Sequence, residues 1–123
     1  VGEFEEAVEF DDVIQKIKEV YGVSQLRYSL KKKKPIKRVG VLAGSGGDFI
    51  KNAIRECCDL YVTSDLKYHN GFEAIENDLI LVDVDHFYSE KLLLDIIPAR
   101  VNQMNLGLDV WASQIVTTPF HHG

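Results

Sequence analysis

The sequence predicts an α/β fold, a mainly parallel or mixed sheet with flanking helices. Three observations carry that expectation. Short apolar runs at residues 38–43, 60–63 and 79–84 have the length of buried strands. Stretches with apolar residues at helical spacing lie between them. Strand and helix alternating at this rhythm imply βαβ units with right-handed crossovers. With 123 residues, 46% of them hydrophobic, the chain is large enough for one core. Residues 1–123 therefore read as a single α/β domain.

The elements follow in order. Residues 1–10 alternate weakly, as an edge strand does. Asp11 and Asp12 mark a helix start. Val13, Ile14, Ile17, Val20 and Tyr21 share one face of that helix, and Gly22 closes it. Residues 25–30 form a short strand candidate, set off by Lys31 to Lys34 and Pro35. After strand 38–43, residues 48–58 read as a helix with Phe49, Ile50, Ala53, Ile54 and Cys57 on one side. Strand 60–63 leads to a short helix at 71–77, with Phe72 and Ile75 inward. Strand 79–84 leads to a helix at 89–97, stopped by Pro98. A last strand is expected at 110–117, with Trp111 packing or anchoring it.

Charge and cysteine content narrow the function classes. Net charge is −5 and the pI is near 5.3, which argues against a nucleic-acid partner. The four-lysine run reads either as an anion-binding patch or as a solvated hairpin or linker. The only two cysteines, Cys57 and Cys58, are adjacent and build no disulfide framework. That favours a reducing, cytoplasmic setting. No signal peptide and no apolar run of about 18 residues is visible, so no membrane span is expected. The chain opens on Val1-Gly2-Glu3-Phe4 without an initiator Met, as a processed chain, a fragment or one domain of a longer protein would. The tail His121-His122-Gly123 is not used for a metal site.

The chemistry gathers at strand ends, where ligands of open parallel sheets collect. Strand 38–43 ends in Gly44-Ser45-Gly46-Gly47-Asp48. Glycines there let backbone approach a ligand, and a helix start attracts anions. The competing reading is a tight turn with Asp48 complementing the helix dipole. Strand 60–63 ends in Ser64-Asp65-Leu66-Lys67-Tyr68-His69. Asp65, Lys67 and His69 suit acid/base or substrate-charge roles, against a solvated loop with an ordinary ion pair. Strand 79–84 runs into Asp83, Asp85, His86 and Glu90. A helix beginning after Asp85 places His86 and Glu90 one turn apart on one side. Imidazole plus carboxylate suits zinc, manganese or iron; a surface helix pair is the plain alternative. Two ligands do not close a site, so others must come from Asp83, Asp85, His69 or elsewhere.

Taken together, residues 41–48 (VLAGSGGD), 61–69 (YVTSDLKYH) and 83–90 (DVDHFYSE) resemble the Nif-three-like family. Val1 to Phe4 and Thr118-Pro119-Phe120 add to the likeness. Members of that family are often labelled GTP cyclohydrolase 1 type 2 homologs. The resemblance covers nearly all of this chain but only the C-terminal part of a typical member. It implies a two-metal site between two α/β halves, with His86 and Glu90 as ligands and the remaining ligands in the other half. It implies a metal-dependent hydrolase acting on a nucleotide-like small molecule, with Asp65, Lys67 and His69 lining the site. Gly44, Ser45, Gly46 and Gly47 would shape its floor. It also implies a homo-oligomer, a hexamer in the family. The other class of function is a metal-stabilised interaction or regulatory module without turnover. Ser64 and Asp85 stand where the family usually has Gly, and Asn70 where it has Asp.

Overall fold

The computed structural model describes residues 1–120, so the tail His121-His122-Gly123 lies outside the described residues. Five strands form one sheet: β1 (Gly2–Val8), β2 (Arg27–Ser29), β3 (Ile36–Ser45), β4 (Leu60–Ser64) and β5 (Ile80–Asp83). The helices among the described residues are α1 (Phe10–Tyr21), α2 (Ile50–Arg55), α3 (Tyr68–Glu76), α4 (His86–Lys91) and α5 (Leu93–Gln103). A 3-10 turn, Gly47–Phe49, leads into α2. The strand order is β1-β3-β4-β5-β2. β3, β4 and β5 are parallel, while β1 and β2 pair antiparallel on the two edges. The sheet is therefore mixed.

The apolar runs exist because both sheet faces are covered. On one face Phe10, Val13, Ile14 and Ile17 of α1 pack on Ile36, Leu60, Val62, Ile80, Val82 and Val84. On the other, Ile50 and Ala53 of α2 and Ala74 of α3 pack on Tyr61 and Leu81. Leu60 and Val62 point one way and Tyr61 the other, as the pleat requires. Burying each Val, Leu or Ile contributes about 1.5–3 kcal/mol. Gly22 closes α1 as expected, at φ 67° with its N–H on the Lys18 carbonyl.

Several expectations need correction. Residues 110–117 form no strand; they carry no regular structure, and Trp111 is 80% exposed rather than packed. The sheet ends at β1 and β2, and residues 110–117 pair with neither. Pro98 does not stop a helix but sits inside α5. Its ring forfeits the bond to the carbonyl four residues back, and α5 runs on regardless. Residues 86–103 form two helices, α4 and α5, instead of one. The helix expected at 48–58 ends at Arg55, and Cys57 takes a left-handed backbone at φ 53° that turns Cys58 inward and leaves Cys57 exposed. α3 starts at Tyr68, three residues early, so Asn70 and Ala74 face inward. Phe72 is instead half-exposed, edge-to-face on Tyr68. The lysine run is partly structural: Lys33 pairs with Asp11, and Lys34 reaches Asp78 and Asp59.

Candidate functional site

The three parallel strands deliver their carboxyl ends to one edge, and each supplies one part of the cluster. β3 ends at Gly44 and Ser45. β4 is followed by Asp65, and β5 by Asp85 and α4. The Asp85 carboxylate caps α4 by accepting from the Phe87 N–H (3.1 Å). That cap starts the helix at His86, so His86 and Glu90 project from one face. His86 Nε2 lies 3.1 Å from Glu90 Oε1. His86 Nδ1, on the opposite side of the ring, lies 2.6 Å from Asp65 Oδ2. Ser45 Oγ–H donates to the same Asp65 oxygen.

The glycine turn makes room for this group. Gly44 has φ 78°, and a Cβ there would stand 3.0 Å from Glu90 Oε1 and 3.5 Å from His86 Nε2. Three side chains pin the turn. The Gly44 N–H donates to Ser89 Oγ (3.0 Å), Thr63 Oγ1–H donates to the Gly44 carbonyl (3.0 Å), and the Tyr61 hydroxyl donates to the Gly46 carbonyl (3.0 Å). Ser89 Oγ–H donates in turn to the His86 carbonyl (2.8 Å), which ties α4 to β3. Asp65 itself sits in the left-handed region at φ 56°, which costs on the order of 1 kcal/mol for a non-glycine residue.

Electrostatics follow from these contacts. The Ser45 hydrogen bond and then His86 hold the Asp65 carboxyl below its ordinary range. Asp65, seconded by Glu90, holds the His86 imidazole above its ordinary value. Burial pushes the Asp83 carboxyl up, against the opposing pull of Arg27. Asp65, His86 and Glu90 open onto a cleft of about 1130 Å³, also lined by Arg27, Asp83 and the segment from Val116 to Phe120.

Of the residues expected at the site, Gly44, Ser45, Asp65, His86 and Glu90 are brought together. Gly46 and Gly47 complete the turn behind them, Gly47 lying against the Asn70 side chain. Lys67 and His69 stand exposed at the start of α3. Among the described residues, no hydrogen bond or ion pair links either side chain to Asp65, His86 or Glu90. Sequence reasoning missed Ser89, Thr63, Tyr61 and Arg27. Ser89 follows His86 by three residues, a spacing that would have placed it over the same helical turn. The roles of Thr63 and Tyr61 depend on cross-strand neighbours that spacing does not reveal.

The donor set suits a metal only in part. Nε2 of His86 and Glu90 face outward together, and the Nδ1 side is held by a carboxylate, the usual support for a metal-binding imidazole. Among the described residues, however, no three His, Cys, Asp or Glu side chains converge as a metal site would require. Asp65 is turned to the back of the ring. The cluster is a two-donor half-site.

Fold and cluster together define an α/β domain with a histidine–carboxylate pair at the carboxyl edge of its parallel strands. Residues 1–119 match the Duf34/NIF3 family (NGG1p interacting factor 3), and the chain belongs to that family. It is 32% identical over 121 residues to a GTP cyclohydrolase 1 type 2 homolog of Streptococcus pneumoniae, covering 92% of this chain and 45% of the relative. A protein of the same name from Campylobacter jejuni is 30% identical over 118 residues, covering 96% and 46%. The fold matches the crystal structure of a Bacillus cereus protein related to NIF3, with TM-score 0.81 and 26% identity over 99% of this chain and 35% of that one. The chain thus spans less than half the length of these relatives. No helix among the described residues is long and apolar enough to cross a membrane.

Proposed function

We propose that this chain supplies half of a divalent-metal site, with His86 Nε2 and Glu90 as ligands, to a hydrolase-like protein acting on a nucleotide-like small molecule. One observation carries the reading. The 3.1 Å pair of His86 Nε2 and Glu90 Oε1 faces open space above a glycine, while a carboxylate holds the other ring nitrogen. A zinc, manganese or iron ion bound there would supply Lewis acidity and a lowered water pKa. The chain's own residues do the rest. Asp65 keeps the Nδ1 proton in place, which leaves Nε2 free to donate its lone pair. Gly44 leaves room in front of the pair, and Ser89 holds α4 against the turn. A catalytic site needs at least three protein ligands, so the set is completed by residues outside this cluster. The relatives' name, GTP cyclohydrolase 1 type 2 homolog, supports the nucleotide-like substrate class.

The test is metal content and nucleotide turnover of the full-length protein, wild type against the His86→Ala, Glu90→Ala double variant. Bound metal should fall at least tenfold with the fold intact. Unchanged metal content would refute the assignment. A second reading has its own support: Lys67 and His69 stand apart from the cluster, leaving it short of proton-handling groups. It predicts metal binding without nucleotide turnover, the metal serving a partner-binding or regulatory module.

A further inference from the structure

We propose that Arg27 is a positioning residue for the site, holding the backbone beside Asp65 so that its carboxylate meets the His86 ring. The inference rests on His86 being a ligand, as argued above. Arg27 lies on the edge strand β2, opposite Asp83 of β5 in the antiparallel register. Its Nε–H donates to Asp83 Oδ2 (3.0 Å), and Nη2 donates to the same oxygen. Nη2 also donates to the carbonyl of Leu66 (2.7 Å). Leu66 directly follows Asp65.

The arrangement exceeds what neutralising Asp83 requires. The Asp83 side chain is 11% exposed and needs a counter-charge, but the Arg27 side chain is 70% exposed. A simple counter-ion would have no need of the Leu66 carbonyl. That bond fixes the Leu66–Lys67 peptide unit, one residue beyond Asp65, which takes a left-handed backbone at φ 56°. Asp65 is then restrained twice, by Ser45 at its side chain and by Arg27 through the backbone of its neighbour. The planar guanidinium suits this task because one rigid fork serves two acceptors. The restraint runs from β2 through Leu66 and Asp65 to His86 Nδ1.

The experiment uses the full-length protein in two states. Stripped of metal by chelation, it is read by the downfield proton resonance of His86 Nδ1–H. Titrated with zinc alone, it is read by affinity. Arg27→Met should keep the fold, weaken or abolish that resonance, and lower zinc affinity by about tenfold or more, as loss of a ligand's support does. Arg27→Lys keeps the charge opposite Asp83 but loses the fork, and zinc affinity should stay reduced. A folded Arg27→Met with the resonance intact overturns the inference. So does full recovery of both readouts in Arg27→Lys, which would make Arg27 a counter-charge only. Should Arg27→Met fail to fold, Arg27→Lys decides alone: loss of the resonance in folded protein supports positioning, and its retention overturns it. If the wild type binds no zinc, the ligand assignment fails, while the resonance still tests Arg27.

Discussion

The parallel core of β3, β4 and β5 and the arm that follows α4, residues 92–120, both carry apolar sequence. Only the first buries it. Leu60, Val62, Ile80, Leu81 and Val82 are 0–3% exposed, whereas Leu93, Leu94, Ile96 and Ile97 of α5 are 40–52% exposed. Beyond α5, Ile115 and Val116 are more than 70% exposed. The difference lies in what stands opposite. The core strands have a helix layer on each face, while α5 has no buried residue and, among the described residues, no layer to pack on. Hydrophobicity selects which residues are able to enter a core, and the neighbouring elements decide which ones do.

Mutations test that contrast most sharply where burial is complete. Leu60→Ala should destabilise by about 2–5 kcal/mol in urea unfolding, since it empties a site with no access to water. Next comes the turn beneath the site. Gly46→Ala would place a Cβ 2.0 Å from Thr63 Oγ1 and 2.6 Å from the Tyr61 hydroxyl. The turn must shift, at about 1–3 kcal/mol, and the Tyr61 bond to the Gly46 carbonyl should break. Ile97→Ala in the arm should stay within about 0.5 kcal/mol of wild type. A loss there equal to that of Leu60→Ala would abolish the distinction between core and arm.

The smallest effect is the pH dependence of the Asp65–His86 pair. His86 is raised above its ordinary 6.5, so its stabilisation is complete below that value and fades as pH climbs through the folded pKa. Asp65 is lowered beneath its ordinary 3.8, so its share is complete above that value and fades as pH drops through the folded pKa. The metal-free protein should therefore gain most from the pair between roughly pH 4 and 6.5. Because both groups are about half exposed, solvent screens the gain. Titrating the His86 ring by NMR in wild type and Asp65→Asn checks the sign: the variant should titrate at lower pH.

Local pattern carried much of the cluster. The apolar run into Asp83, Asp85 and His86 marks both a strand and its polar end, and the four-residue step to Glu90 is a helical neighbour whatever the rest of the chain does. Gly44 was legible for the same reason, because a glycine run at a strand end implies a turn that side chains would obstruct. Lys67 and His69 alternate with apolar residues in the sequence; α3 begins at Tyr68, with Lys67 as its N-cap, and both side chains stand exposed. Ser45 and Asp65 are 20 residues apart in sequence, and their contact exists because β3 and β4 are parallel neighbours.

Periodicity and turn chemistry act over a few residues, and by themselves they determined the α/β class, the central strands, the Gly22 helix end and the His86–Glu90 step. Which strand lies beside which is a matter of long-range pairing, and only the tertiary structure decided it. That pairing put β2 next to β5, set Arg27 against Asp83 and Leu66, and turned Asp65 onto the back of the imidazole. It also placed β1 and β2 on the two sheet edges, and residues 110–117 pair with neither. Short-range rules place a side chain on its own element, but the packing of separate elements determines what that side chain meets.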